Sequence, residues 1–266
     1  VPVKVFWFFF SKKEHSSRFR IHPMTNILLI HGAWQGAWAW GALTPLLEAR
    51  GWRCHAVDLP GNGEPGAAPG PATLDGYVAH CARVMPERAV VMGHSGGGVV
   101  AAQLAEEFPE RVSTLVFLAG MMLPSGVGFA EVVADTEAPG KEGIVPYLQW
   151  SADRAISSVP VEAALEIFLH DCPAVAARAA AARLRPQATT GFALKPKLSH
   201  ARFGRVKRIY IEAVLDRSVV LGVQRRMQAL VPGAEVLSMR TGHVPQLAAP
   251  ETLAELLEPL KDGTLS

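Results

Sequence analysis

Ala89-Val90-Val91-Met92-Gly93-His94-Ser95-Gly96-Gly97-Gly98-Val99 decides the fold. An apolar, β-branched run leads into a serine flanked by glycines, and the helical pattern Val99 to Glu107 follows at once. The order is strand, sharp turn, helix, with the serine at the apex. Such a turn pushes the serine Oγ clear of the backbone and brings strand and helix so close that only small residues fit beside it. Gly93, Gly96 and Gly97 meet that need. A bare G-x-S-x-G match means little in a chain with 24 glycines; the strand before it and the helix after it give it weight.

Working outward, short apolar runs recur at Asn26 to Ile30, Cys54 to Val57, Ala89 to Met92, Thr114 to Leu118, Arg208 to Ile211 and Glu235 to Leu237. Helical patterns fall between them, at Ala37 to Arg50, Leu74 to Met85, Val99 to Phe108, Val219 to Leu230 and Pro250 to Leu260. Continuous apolar strands alternating with helices predict an α/β fold, a parallel sheet covered on both faces. The alternation stops between Pro124 and about Arg205, where strand signals vanish and alanine-rich stretches such as Ala174 to Leu184 predict an inserted helical cap. The expected organisation is therefore a core of residues 24–123 and 206–266 interrupted by a cap at 124–205, with Pro60 to Pro71 a Gly/Pro/Ala-rich loop. Residues 1–23 read as a leader outside the core, an upstream alternative start or a non-native remnant. Its run Val5 to Phe10 is too short to span a bilayer, and its other readings are a surface anchor or an extra edge strand.

The 266 residues suffice for one large core. A formal charge of +2, with scattered arginines, gives no field for nucleic acid, so a small-molecule partner is expected. Cys54, Cys81 and Cys172 are isolated, odd in number and lack metal-ligand spacing. They predict reduced thiols, a cytoplasmic location and no metal site.

A serine hydroxyl is a weak nucleophile near neutral pH and needs a base, oriented in turn by a third group. Of nine histidines, His243 follows the last strand in a loop before the C-terminal helix and is the expected general base. Asp216 follows the Arg208 to Ile211 strand, so the chain order is Ser95, Asp216, His243. All three fall at carboxyl ends of parallel strands, where catalytic groups gather. Asp216 also reads as a helix cap, and Glu212 competes as the acid. His31 reads as a structural histidine, and His94 as one that packs locally. The backbone N–H groups of Ala33 and Gly96 are the expected oxyanion donors, Gly96 opening a helix whose dipole favours negative charge. Trp34, Trp150 and Phe168, with His94 and Val244 beside the serine and the base, are the candidates for substrate contact. Phe129 and Phe192 are further aromatic candidates, and spacing does not choose among them.

From Met24 onward the chain resembles an α/β-hydrolase of the branch holding plant methyl esterases, hydroxynitrile lyases and bacterial carboxylesterases, pyrethroid-hydrolysing ones included. Ile30-His31-Gly32-Ala33-Trp34, Asp58-Leu59-Pro60-Gly61, the serine turn, Arg185-Pro186-Gln187, Tyr210-Ile211-Glu212 with Asp216-Arg217, and Gly242-His243 carry the resemblance. It implies the α/β-hydrolase fold with a six-stranded, mainly parallel sheet, helices on both faces and a cap roofing an apolar pocket. It also implies a serine carboxylesterase that acts on small to medium apolar esters without metal or cofactor. The similar cyanohydrin lyases carry threonine after the first-strand histidine and lysine after the catalytic one, where this chain has Gly32 and Val244. A cofactor-free haloperoxidase or perhydrolase, and a small-molecule binding protein that retains the triad, are the alternatives. A homodimer is left open.

Overall fold

The computed structural model describes residues 24–62, 72–191 and 193–261. The leader 1–23, Phe192 and most of the Gly/Pro-rich loop lie outside the described residues. Six parallel strands, β1 (Thr25–Ile30), β2 (Trp52–Val57), β3 (Ala89–His94), β4 (Val112–Leu118), β5 (Arg208–Ala213) and β6 (Ala234–Met239), form one sheet. Their order across it is β2-β1-β3-β4-β5-β6. This is the α/β-hydrolase sheet expected, and each strand runs one or two residues beyond its apolar run at one or both ends.

Side chains alternate across a strand, and here both faces are dry. Ile27 and Leu29 of β1, with Val90 and Met92 of β3, pack towards Trp40, Leu43, Leu47, Leu253 and Leu257. These last five belong to the segment around α1 (Thr44–Glu48) and to α7 (Pro250–Leu257). On the opposite face Leu28, Ile30 and Val91 meet α2 (Leu74–Val84), α3 (Gly97–Glu107) and α6 (Leu221–Leu230) through residues such as Val78, Leu104 and Met227. Burying each such side chain contributes about 1.5–3 kcal/mol before conformational entropy is subtracted. The single helix expected over Ala37 to Arg50 is instead a 3-10 turn, Ala37–Trp40, followed by α1. Pro45 lacks the N–H that a continuous helix would use and sits in the first turn of α1.

Between β4 and β5 the chain leaves the sheet through α4 (Phe129–Ala134), a helical segment from Val161 to Phe168, and α5 (Ala174–Arg183). Strands also occur in this region, against expectation. Gln149–Trp150, Ile156–Ser158 and Gln187–Ala188 form a small antiparallel sheet. Runs of two or three residues are too short to show alternation, so they left no readable signal. The region has its own cluster, in which Ile144, Ala164, Ile167, Phe168 and Ala177 pack with Trp34 and Val244 of the core. Among the described residues no helix is long and apolar enough to cross a membrane.

Candidate active site

Ser95 stands between β3 and α3 at φ +51°, a left-handed conformation that a non-glycine residue adopts only under constraint. Its N–H donates to the Leu118 carbonyl, and its own carbonyl accepts from Gly98 and Met121. The crowding expected around it is real at Gly93 and Gly97 and extends to Gly98, but it spares Gly96. A Cβ on Gly93 would stand 2.5 Å from the Gly97 carbonyl oxygen, one on Gly97 2.5 Å from the His31 carbonyl oxygen, and one on Gly98 2.8 Å from the Met121 nitrogen. Gly96 has room. A Cβ there would meet Ala33 N at 3.8 Å, so the serine turn and the turn after β1 face one another. Neither the Ala33 nor the Gly96 N–H donates to another described residue, leaving both free for a ligand oxygen.

The loop after β6 brings His243 Nε2 to 3.1 Å from Ser95 Oγ. Its Nδ1 lies 2.7 Å from Asp216 Oδ2 in the turn after β5. Asp216 Oδ1 accepts from the Ser218 and Val219 N–H groups at 2.7 and 3.0 Å. The two oxygens thus divide the two readings of this aspartate: one caps the turn into α6, and the other faces the histidine. Glu212 is occupied elsewhere. Burial pushes its carboxyl up, but hydrogen bonds from Arg225, Gln228 and Ser238 outweigh that and hold it below the usual range.

His94 lies behind the base rather than in the pocket. It is fully buried, its Nε2–H donates to the His243 carbonyl at 2.7 Å, and its Nδ1 lies 3.1 Å from Gln35 Oε1. Burial, and then the neighbouring His243, push its pKa well down, so it is neutral. His31 is structural: Nδ1–H donates to the Gly32 carbonyl and Nε2 accepts from the Leu59 N–H. Phe168 stacks on His243, ring centroids 5.2 Å apart, and on Trp34 at 6.0 Å.

A cavity of about 20 Å³ touches Ser95 and is walled by Ala33, Trp34, Met121, Phe129, Ile144 and Val219. Met121, Phe129, Glu142 and Val145 are shared with an adjoining, almost wholly apolar cavity of about 560 Å³. Of the substrate-contact candidates, Trp34 and Phe129 therefore reach the serine. Phe168 and Val244 line a separate cavity of about 230 Å³ behind the base. Trp150 lies outside these cavities, under the Arg154 guanidinium at 4.7 Å. Met121, Ile144 and Val219 were not foreseen, because aliphatic residues in loops carry no sequence signal for a pocket. Among the described residues no group of three or more His, Cys, Asp or Glu is placed to hold a metal ion.

The alpha/beta hydrolase family profile matches residues 27–256. The sequence is 30% identical over 250 residues to pyrethroid hydrolase of Sphingobium wenxiniae, covering 90% of this chain and 89% of that protein. It is 28% identical over 255 residues to methylesterase 8 of Arabidopsis thaliana, covering 89% of each. The crystal structure of a pyrethroid hydrolase from Sphingobium faniae superposes with a TM-score of 0.80 at 29% identity, over 90% of this chain and 97% of that one.

Proposed function

The chain belongs to the alpha/beta hydrolase family, and on that premise we propose that it is a serine carboxylesterase acting through an acyl-enzyme. The relay from Ser95 Oγ through His243 to Asp216, at 3.1 and 2.7 Å with the serine held at φ +51°, is the observation that carries the reading. Relatives named as a pyrethroid hydrolase and a methylesterase support the same reaction class.

In this reading Ser95 Oγ bonds to the ester carbonyl carbon as its proton passes to His243 Nε2. The carbonyl electron pair moves onto oxygen, where the Ala33 and Gly96 N–H groups receive it; one such donor is worth about a hundred- to thousandfold in rate. Collapse breaks the bond to the alkoxy oxygen, which leaves with the proton from His243. Water then repeats the sequence, giving its proton to His243 and its oxygen to the acyl carbon. Ser95 recovers the proton and the acid departs. Asp216 stays ionised and fixes the Nδ1–H tautomer.

Residues 124–205 act as the cap over this centre. The apolar walls around Ser95 and the adjoining 560 Å³ cavity favour small to medium apolar esters, the bulkier part lying beyond Phe129 and Met121. A cyanohydrin lyase would need a cation beside the base to hold departing cyanide, and position 244 is a buried valine. The test is a panel of p-nitrophenyl esters from acetate to laurate, with methyl esters of aromatic acids and pyrethroids, assayed with wild type and Ser95→Ala. Turnover that vanishes with the serine is expected. Near-wild-type turnover by pure Ser95→Ala, or cyanide release from mandelonitrile at rates comparable with ester hydrolysis, overturns the reading.

A further inference from the structure

We propose that the insertion between β4 and β5 positions the catalytic loops directly, through Gln187, His170 and Asp171, each of which ties down a different loop of the site. The inference rests on the esterase reading above.

Each tie is a side-chain hydrogen bond to the backbone beside a reacting group. Gln187, 2% exposed, accepts the Trp34 N–H on Oε1 at 2.7 Å while its Nε2 donates to the Gly191 carbonyl at 2.7 Å. Trp34 follows the oxyanion donor Ala33 at φ +59°, and its carbonyl accepts the Arg185 N–H at 2.9 Å. Both of its peptides are thus fixed by residues 185–187. His170 Nε2–H donates to the Leu215 carbonyl at 3.1 Å, one residue before Asp216. On the other side of that aspartate, the Arg217 guanidinium donates to the Glu166 carbonyl at 3.1 Å. Asp171 Oδ2 accepts the N–H of Gly242, the residue before His243.

The packing agrees with the bonding. A Cβ on Gly242 would stand 2.5 Å from Asp171 Oδ1 and 2.7 Å from His170 Nε2. The insertion therefore sits directly on the Cα of the residue preceding the base. His170 and Asp171 arrive there from a wide helical turn, in which the Leu169 N–H reaches back five residues to the Ala164 carbonyl. Turns of this kind recur at functional sites. His94 holds the His243 carbonyl from below and Asp171 holds Gly242 from above, so the base is gripped between the core and the insertion.

Such a grip matters because the three loops leave three different strands, and proton transfer tolerates little error in their relative placement. A displacement of about 1 Å costs on the order of a hundredfold in rate. These are positioning residues, since none of the three touches the reacting atoms. Their loss should lower kcat rather than raise KM.

The experiment compares Asp171→Ala with Asp171→Asn in the full-length protein. Asparagine Oδ1 still accepts the Gly242 N–H, whereas alanine leaves that N–H unpaired. Three quantities are read: kcat and KM on p-nitrophenyl butyrate, the rate constant for labelling Ser95 with a fluorophosphonate probe, and the thermal midpoint. We expect Asp171→Ala to lower kcat and the labelling rate by roughly ten- to a hundredfold, with KM within about twofold, and Asp171→Asn to recover most of both rates. Wild-type rates in a folded Asp171→Ala, or a loss that Asp171→Asn fails to repair, overturns the proposal. Should Asp171→Ala not fold, His170→Ala decides, with a lower labelling rate at an unchanged thermal midpoint expected and an unchanged rate contradicting. A wild type that is neither labelled nor active sinks the esterase reading instead, so the two failures are distinguishable.

Discussion

Ser95 depends on its immediate surroundings more than on any distant contact, and Gly32 is the sharpest instance. A Cβ at Gly32 would lie 2.9 Å from Ser95 Cβ and 3.1 Å from His94 Nδ1, both parts of side chains that cannot swing away. Gly32→Ala should therefore displace the nucleophile and lower kcat by about tenfold or more in a protein that still unfolds cooperatively; unchanged steady-state kinetics would contradict this. The same crowding weighs against placing threonine at this position, as the similar lyases do. Ser95→Ala, by contrast, removes only an oxygen, and ester turnover should fall by at least about a thousandfold with the far-ultraviolet circular dichroism spectrum intact. Ser95, Asp216 and His243 were legible in the sequence because each sits on a short turn next to a strong strand signal. His94 packs locally, as one reading of it expected, while Trp150 stands away from the cavity that touches Ser95. One is turned into the core by its bond to the His243 carbonyl, and the other is held beneath Arg154.

At the scale of elements, α3 does more than carry the serine at its start. Near its C-terminal end the Glu106 carboxylate accepts from the Ser199 N–H and hydroxyl at 2.8 Å and from the Phe203 N–H at 3.0 Å. Arg202 donates to the Glu106 and Glu107 carbonyls. The chain is thereby fastened to α3 just before it re-enters the sheet as β5. Glu106→Ala removes three acceptor contacts and should cost about 1–3 kcal/mol. For a protein of this length that corresponds to a fall of several degrees in thermal midpoint, and a midpoint unchanged in differential scanning calorimetry would show that the fastening is dispensable. The four inner strands of the main sheet were readable because burial on both faces makes them nearly continuously apolar. The small antiparallel sheet was not, and its partners Gln149–Trp150 and Gln187–Ala188 are brought together by tertiary contacts rather than local preference.

Across the whole molecule, stability should fall on acidification. Burial is the largest cause lowering the pKa of both His31 and His94, so the folded state protonates them less readily than the unfolded chain, which binds protons below about pH 6.5. Both states are neutral above that value. Below it the unfolded state gains more protons than the folded state, so stability is lost as pH falls, by up to about 1.4 kcal/mol per pH unit for each histidine. Urea midpoints should decline from pH 7.5 to pH 5, and a flat profile would contradict the burial argument. The parallel sheet and its two covered faces, then, could be read from a single sequence, whereas the grip of the insertion on the catalytic loops could not, because Gln187 and Trp34 meet only in three dimensions. The most direct test of the central claim is intact-protein and peptide mass spectrometry after rapid acid quench of the enzyme turning over a slow p-nitrophenyl ester. The acyl group should appear on the peptide carrying Ser95 in wild type and be absent from Ser95→Ala. Sustained hydrolysis with no acyl adduct, or an adduct on any other residue, would contradict the account.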